Sequence, residues 1–557
     1  MKSLPCSIVQ TIASYLSFKD KLNCILVCRQ WHLWIRNSCL YETLSFQTNS
    51  DSLSAALEFF NRHSLFGSRV HSLSMIHCHL QDKTANCITR VLPNIQTLVW
   101  IESDEHGRSQ LRWVNIGISF RFYRWKKIKY LTIDATTFHT FNLLGLAAPL
   151  NQLDTLIIYF NTIEETQRDL ARTMAYKLRY AQSLQLLVLK SAVVDLSIME
   201  EIHINAPDLK ELVLEDVTLL MDHKLNNRAI VHAKALRKLH MDVINDPKDL
   251  LQNDQVISIR HWLNYFASKY RHVEDILIIA QSSFKSLSPC VADLLRAMRH
   301  ITRYAIQLCS IDPTILRAIH SFSLSSLSIW INRENAGEQI TTLASWNTLP
   351  LHLQSFDIVV QDLLPLDPLN ALIDLIMNLS HLKSLSIQNV AIKNETLPLI
   401  LLLNEHPSLT FIYLDHGTVR DMTFEVTVKK RVGLHSLTLH LCTYTLGNHS
   451  SANDAIRVIM SKQTLPFHLI RIKGDVICGV GMLRIPLTKA PHLHKLNIQL
   501  DMIGYISIYK TSENEYIASN NKTKELLKVS EMKKIDGDAI IPREWTYGQL
   551  TTVRLQI

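Results

Sequence analysis

A recurring pattern of apolar and polar positions runs through most of the chain. The form Leu-x-x-Leu-x-Leu/Ile occurs seven times, where this composition gives about three by chance. The seven copies begin at Leu153, Leu184, Leu209, Leu324, Leu382, Leu434 and Leu493. Looser copies begin at Val70, Ile95, Ile128, Leu236, Val273, Ile301, Leu353, Leu409, Leu469 and Leu550. Each copy predicts a short strand whose apolar side chains are buried.

The spacing of these strands is more informative than their number. From Val70 to Leu493 there are fifteen intervals over 423 residues, a mean of about 28. Between strands, apolar residues recur at helical spacing, as in Val291, Leu294, Leu295 and Met298. The alternation predicts an α/β body with one parallel strand and one helix in each repeat.

The first 45 residues have a different, helical pattern. Pro5 suits the first turn of a helix, and the residues that follow place apolar side chains every four positions, at Ile8, Ile12 and Leu16. The run Ser17-Phe18-Lys19-Asp20 is an N-cap signal, and we predict a second helix from there through Trp34. A third short segment, residues 40–44, closes the unit.

This N-terminal unit has more large apolar residues than its size requires. A three-helix unit of about 45 residues is near the limit of independent stability. Surplus apolar side chains at its surface indicate docking on a partner. From the physics alone, a cap on the core of the following domain explains them equally well.

The same residues resemble an F-box. Its marks occur in order: Leu4-Pro5, Tyr15-Leu16, the block Val27-Cys28-Arg29-Gln30-Trp31, and Leu40-Tyr41. The resemblance implies binding to a Skp-family adaptor and, through it, to a cullin–RING ubiquitin ligase. It places six residues on or near the adaptor contact: Leu4, Pro5, Ile8, Ile12, Leu16 and Leu22. It implies that Cys28 and Trp31 hold the helices together.

The body is similar to leucine-rich repeats. Their mean length fits, and the family's Asn or Cys at the ninth position, in the turn after the strand, occurs in five repeats. These residues are Cys78, Asn161, Cys309, Asn332 and Cys442. The resemblance implies a three-helix F-box followed by a curved solenoid, with parallel strands on the concave face and helices on the convex face.

We predict five segments. Residues 1–45 form the F-box, 46–69 a linker or first capping segment, and 70–508 the repeats. The stretch 509–538 is rich in Lys, Glu, Asn and Ser, which predicts a surface insertion. Residues 539–557 form a terminal repeat or cap.

Composition narrows the class of protein. Of 557 residues, 47% are hydrophobic and 19% charged, which excludes overall disorder. No aliphatic stretch approaches the roughly 20 residues of a membrane span. Ten cysteines without a CxxC pair, and no signal-peptide core, predict reduced thiols in the cytoplasm or nucleus. The net charge of +8 is a mild bias at this length.

No catalytic motif is present, and we expect no enzyme activity, cofactor or metal. The adjacent His77, Cys78 and His79 lack a second ligand cluster. Interleaved basic and aromatic residues in the run 121–130 are the best candidate for nucleic-acid binding. We favour a helix end running into a strand there, and no nucleic-acid partner.

Residues between the buried leucines of each strand point outward and supply candidate target contacts. The aromatic ones are Tyr130 and Tyr159 in neighbouring repeats, Trp330 alone, and Phe411 with Tyr413. An acidic stretch over three successive repeats consists of Glu211, Glu215, Asp242 and Asp275, with Lys238 among them. A basic partner segment held by this stretch is a hypothesis.

These observations predict a non-catalytic substrate adaptor of a Skp–cullin–F-box ubiquitin ligase. Two alternatives stay open: a repeat scaffold or receptor without a ubiquitination role, and a nucleic-acid-associated solenoid that uses the run 121–129. The identity of the target protein is not encoded in any motif that we recognise.

Overall fold

A computed structural model describes the following residues. They are 6–14, 16, 18–38, 40–47, 50–78, 82–101, 125–134, 150–160, 164–220, 232–243, 252–280, 285–309, 311–319, 322–331, 339–341, 343, 352–364, 374–390, 411–418, 422–431, 434–443, 469–474, 482–486, 495–500, 504–512, 515–520, 525–535, 538–541 and 552–556. The chain is mixed α/β and forms two units: residues 1–282 with 296–300, and residues 283–295 with 301–557.

Three short helices open the first unit, α1 (Cys6–Ser14), α2 (Phe18–Ile25) and α3 (Arg29–Ser38). The predicted single helix through Trp34 is wrong, because the chain turns at Leu26 and Val27. Their amides bond three residues back, and α3 then starts afresh with the amide of His32 on the carbonyl of Cys28. The break lets α3 bury Ile35 against α1, so packing overrides the continuous local pattern.

The parallel strands begin before residue 70, where the sequence pattern placed the first of them. Residues 43–47 form a strand rather than a third helical segment, and a 13-residue helix follows within the predicted linker. Leu53, Leu57 and Phe60 of that helix are buried, so this segment belongs to the core of the first unit.

Ten strands are described in the first unit, and nine of them form one parallel run. They are β1 (Thr43–Gln47), β2 (Ser72–Ile76), β3 (Thr97–Ile101), β4 (Tyr130–Asp134), β5 (Thr155–Tyr159), β6 (Leu186–Lys190), β7 (Val193–Val194), β8 (Glu211–Leu219), β9 (Lys238–Val243) and β10 (Asp275–Ala280). The order is β1-β2-β3-β4-β5-β6-β8-β9-β10, while β7 pairs separately with the end of β8.

In-register stacking of the predicted apolar positions builds the core. Leu156, Leu187, Leu212, Leu239 and Ile276 are paired from strand to strand, and none is exposed. Burying one such side chain stabilises the fold by about 1.5–3 kcal/mol.

Described helices lie between several of these strands along the chain, as parallel pairing requires. They are α4 (Ser50–Arg62), α5 (Ser64–Gly67), α6 (Asp82–Val91), α7 (Glu164–Lys177), α8 (Leu196–Asn205) and α9 (Gln252–Lys269), with a 3-10 turn at Leu178–Tyr180. Asp195 caps α8 by accepting a hydrogen bond from the amide of Ile198, and the guanidinium of Arg168 contacts the same carboxylate.

Parallel strands also open the second unit. They are β11 (Arg303–Gln307), β12 (Ser326–Ile331), β13 (Ser355–Leu364), β14 (Ser384–Val390) and β15 (Phe411–Thr418), paired in that order. Its helices are α10 (Ser288–Ala297), of which residues 288–295 belong to this unit, and α11 (Pro313–Ile319); Lys285–Leu287 is a 3-10 turn. Val291, Leu294 and Leu295 of α10 are buried, as their helical spacing predicted.

The repeat pattern changes after β15. Strand β16 (Met422–Arg431) is antiparallel to both of its neighbours, β15 and β17 (Leu434–Thr443), so the expected helix between Leu409 and Leu434 is wrong. Parallel pairing resumes with β18 (Leu469–Gly474) and β20 (Lys495–Leu500). Cys442 lies within β17, not in a turn after a strand.

Short strands also occupy the segment 509–538, for which the sequence predicted only a surface insertion. β21 (Gly504–Ser512), β22 (Glu515–Asn520) and β23 (Leu526–Lys528) are antiparallel and continue from β20; Val529–Glu531 is a 3-10 turn. A second sheet contains β19 (Met482–Pro486), β24 (Lys534–Ile535), β25 (Asp538–Ile540) and β26 (Thr552–Gln556). Among the described helices, none has the length and apolar character to span a bilayer.

Candidate protein-interaction surfaces

The N-terminal helices have a small shared core. Val9 and Ala13 of α1, Ile35 of α3 and Leu40 are buried together. Half-buried side chains pack around them, namely Cys24, Ile25, Trp31, Trp34 and Tyr41. Trp31 therefore holds the helices together as the resemblance implied, but Cys28 does not, because it is exposed.

Three of the predicted adaptor-contact residues lie at the surface of these helices. Ile8 and Ile12 on α1 are 45% and 40% exposed, and Leu22 on α2 is 38% exposed. Leu16 is half-buried, and Leu4 and Pro5 lie outside the described residues. An uncovered set of aliphatic side chains on so small a unit is typical of a surface that a partner covers.

Further exposed apolar residues lie near the helix break and were missed by the sequence analysis. Leu26 and Val27 are 81% and 66% exposed, and Leu33 on α3 is 56% exposed. They were missed because the continuous helix predicted through Trp34 has no turn at Leu26 and Val27. Together with Ile8, Ile12 and Leu22 they form the apolar surface of the N-terminal helices.

Two aromatic side chains lie on the outward face of β4 and β5. Tyr130 is half exposed, whereas Tyr159 is half-buried under the ammonium group of Lys190, which lies 5.2 Å from the ring centroid. The two strands are neighbours, but Tyr130 pairs with Thr155 and Tyr159 with Asp134. The tyrosines are thus about 13 Å apart along the strands, at opposite ends.

The acidic stretch is partly neutralised by basic partners. Lys190 lies 2.6 Å from Glu215, and Lys238 lies 3.5 Å from Glu211. Nε2 of His240 is 3.3 Å from Asp275. The Glu215 carboxylate raises the pKa of Lys190 through a hydrogen bond.

Asp242 is the member of this stretch that faces further negative charge. Its pKa is raised, first by partial burial and then by the neighbouring carboxylates of Asp216 and Glu215. Asp216 sits at an irregularity in the β8–β9 pairing and has a φ of 53°. The middle of β8 and the C-terminal end of β9 therefore carry the most acidic part of this face.

The other candidate target residues belong to the second unit. Trp330 of β12 is half-buried and pairs in register with Val359. Phe411 and Tyr413 lie on β15, opposite Ser384 and Ser386 of β14; the structure describes only their backbone. The aromatic candidates are thus divided between the two units.

One aromatic residue of the basic-aromatic run 121–130 is buried in the core, whereas stacking on a base requires an exposed ring. Trp125 is fully buried and donates a hydrogen bond from Nε1 to the carbonyl of Leu92 at 2.7 Å. Lys126 and Lys127 are exposed, and residues 121–124 lie outside the described residues. Trp125 is therefore unavailable to stack on nucleic-acid bases.

Metal-ligating chemistry is absent from the described part of the chain, where no group of three His, Cys, Asp or Glu side chains converges. Cys78 is buried, and its thiol lies 3.6 Å from the carbonyl oxygen of Ile76. Burial raises the pKa of Cys309 to about 12, so this thiol stays protonated. Asn161 and Asn332 lie outside the described residues.

Comparison with known families supports the N-terminal assignment. Residues 1–47 match the F-box-like family model, so the chain carries an F-box-like domain. This domain supports a role in protein–protein interaction with a Skp-type partner. No curated protein shows significant similarity to the chain.

Proposed function

We propose that this protein is the substrate-recognition adaptor of a Skp–cullin–F-box ubiquitin ligase. The observation that carries the proposal is the exposed apolar surface of the N-terminal helices, within the segment that matches the F-box-like family. The Skp-family adaptor covers Ile8, Ile12 and Leu22 and joins the chain to the cullin–RING ligase.

The remaining residues, in this proposal, are degenerate leucine-rich repeats that hold a target protein. The in-register pairing of Leu156, Leu187, Leu212 and Leu239 supports this assignment, because repeats that share one core present successive outward positions side by side. The protein acts without catalytic residues of its own. It raises the effective concentration of the target's lysines near the conjugating enzyme, in the cytoplasm or nucleus.

Target binding on the first unit is proposed for the acidic residues Glu215 and Asp216 of β8 and Asp242 of β9. Lysine side chains already compensate Glu211 and Glu215, and the imidazole of His240 contacts Asp275, whereas Asp242 faces Asp216 and Glu215. A basic segment of the target fits this charge. Charge reversal at Glu211, Glu215 and Asp242 should therefore reduce target capture, and unchanged capture would remove this part of the proposal.

Co-purification of the ligase from cells tests the adaptor function. Tagged wild-type protein should recover the Skp-family adaptor and a cullin, and its targets should accumulate when the proteasome and cullin activation are blocked. Ile8→Ala/Ile12→Ala/Leu22→Ala should lose adaptor and cullin together. Ile204→Ala, which changes an exposed aliphatic residue on α8, is the matched control.

A scaffold or receptor without a ubiquitination role is the second candidate. It rests on the same exposed surface, and recovery of stable partners without the adaptor or a cullin would favour it. A nucleic-acid role is less well supported, because burial of Trp125 removes one aromatic ring from the basic-aromatic run.

A further inference from the structure

Three basic side chains of the first unit lie in the segments that lead into β9, β10 and β11. Lys234, Arg271 and Arg299 each stand four residues before the first residue of the strand that follows. They therefore occupy equivalent positions in three successive repeats, and all three are exposed. We call these three residues the basic row.

The first two members of the basic row are neighbours. Strands β9 and β10 are parallel, and Lys238 pairs in register with Asp275. The same register, continued four residues back along both segments, places Lys234 opposite Arg271. Because neighbouring strands are about 4.8 Å apart, the two cationic side chains leave the backbone at about that separation.

The second and third members of the basic row are also neighbours. A histidine follows each of them, and the imidazole rings of His272 and His300 are stacked, with centroids 6.0 Å apart and planes 15° from parallel. Both histidines belong to the first unit and are exposed. Since the rings lie side by side, Arg271 and Arg299 leave the backbone at adjacent turns, and the basic row spans about 10 Å.

The positive charge of the basic row is not neutralised by any described residue. In the part of the chain that the structure describes, no ion pair or hydrogen bond joins the side chain of Lys234, Arg271 or Arg299 to another residue. Arg237, by contrast, is paired with Glu274 at 3.3 Å. Three like charges this close repel one another, and an anionic partner removes that repulsion.

An acidic protein segment fits the basic row better than a nucleic acid does. Proteins that bind along the phosphate backbone make about 6–10 phosphate contacts, more than three side chains over this length supply. Stacking on bases requires an exposed aromatic ring, and Tyr270, which precedes Arg271, is buried. A guanidinium group donates two parallel hydrogen bonds to one carboxylate, so a short run of carboxylates matches the row.

We propose that the basic row binds an acidic segment of a partner protein, a run of Asp and Glu side chains whose carboxylates pair with Lys234, Arg271 and Arg299. The segment belongs to the target protein, so the inference rests on the proposed function for its partner. The adaptor-contact residues Ile8 and Ile12 are not part of the row.

Fluorescence anisotropy of labelled hexaglutamate, titrated with the full chain, tests the proposal. Hexaglutamate should bind saturably and about tenfold more tightly than hexaglutamine, because three exposed ion pairs together amount to about this factor. The row variant, Lys234→Gln/Arg271→Gln/Arg299→Gln, should weaken hexaglutamate about tenfold. The matched control removes the same charge from exposed positions elsewhere and should keep wild-type affinity; it is Lys126→Gln/Arg260→Gln/Lys533→Gln.

Three outcomes would overturn the proposal: no saturable binding of hexaglutamate, equal weakening by the row variant and its control, or tighter binding of a single-stranded oligothymidylate of equal charge that the row variant abolishes. Circular dichroism should show that both variants fold, since all six side chains are exposed. If the row variant fails to fold, the comparison of hexaglutamate with hexaglutamine on the wild-type chain still decides. The row variant should bind purified Skp-family adaptor like the wild type, so failure of the row and failure of the adaptor function are separate results.

Discussion

Lys269 is fully buried on α9, and its Nζ lies 2.6 Å from Oε1 of Glu200 on α8. The hydroxyl of Tyr265 donates a hydrogen bond to the same oxygen at 2.7 Å. Burial lowers the pKa of Lys269, and the Glu200 carboxylate opposes this shift. At the residue scale, the network couples two helices through a charge that has no access to water.

Removing one partner of this ion pair should be costly. Glu200→Gln removes the negative charge beside the buried ammonium of Lys269 and should lower the free energy of unfolding by about 3–5 kcal/mol. The double variant Glu200→Gln/Lys269→Met should recover most of this loss. Glu274→Gln is the control, because Glu274 and Arg237 are about half exposed and such pairs contribute under about 1 kcal/mol. Urea unfolding measures all three, and equal losses for Glu200→Gln and Glu274→Gln would contradict the assigned role.

His203 should make stability depend on pH. Burial, and then the charge of Lys269, lower the pKa of His203 to about 3, and its Nε2 lies 2.9 Å from the hydroxyl of Tyr270. The unfolded chain therefore binds more protons than the folded chain between about pH 3 and 6.5. Above pH 6.5, His203 does not reduce the free energy of unfolding. As the pH decreases from about 6.5 to 3, the free energy of unfolding falls by about 1.4 kcal/mol per pH unit.

Urea unfolding between pH 4 and 7 measures this contribution. His203→Gln should have a flatter pH dependence than the wild type over this range, because the titrating group is gone. His272→Gln, at an exposed histidine, should keep the wild-type slope. A His203→Gln slope identical to that of the wild type would show that another group dominates.

At the scale of single elements, the alternation of faces within a strand can be tested on β8. Leu214 is completely buried, while its neighbour Val213 points to the opposite face and is half-buried. Leu214→Ala should cost about 2–5 kcal/mol of unfolding free energy, and Val213→Ala about 1 kcal/mol or less. Chemical denaturation measures both, and a larger loss for Val213→Ala would mean that the strand faces are reversed.

Much of the fold could be predicted at this scale, because the regularly spaced apolar residues that are buried in each strand also locate that strand in the sequence. Leu209, Leu212 and Leu214 locate β8 from apolar spacing alone. The antiparallel strand β16 was missed because the repeat period favoured a helix between Leu409 and Leu434. The alternation from Thr423 to Val428 was the signal for a strand there.

The candidate sites were less predictable, since they depend on pairing between distant residues. Lys238 of β9 pairs in register with Glu211 of β8 on one side and with Asp275 of β10 on the other. The sequence of any one of these strands does not show this pairing. The exposure of Leu26 depends on a helix break that packing of Ile35 imposes. Burial of Trp125 likewise depends on its hydrogen bond to Leu92, 33 residues earlier in the chain.

At the scale of the whole molecule, the proposed function assigns different tasks to different segments. In this proposal, the exposed apolar residues of the N-terminal helices bind the adaptor, and the outward strand positions bind the target. Tyr130 and Asp242 lie in the first unit and Trp330 in the second, so each unit offers its own candidate target residues. Substitutions at Asp242 should therefore change target capture without changing adaptor binding.

Calorimetric titration of the purified chain with purified Skp-family adaptor tests the central proposal most directly. The wild type should bind with one-to-one stoichiometry. Ile8→Ala/Ile12→Ala/Leu22→Ala should bind at least about 100-fold more weakly, because clustered apolar contacts dominate such interfaces. The control Ile204→Ala/Ile257→Ala removes exposed aliphatic groups elsewhere and should retain wild-type affinity. Absence of wild-type binding, or equal affinities for both variants, would contradict the proposed adaptor function.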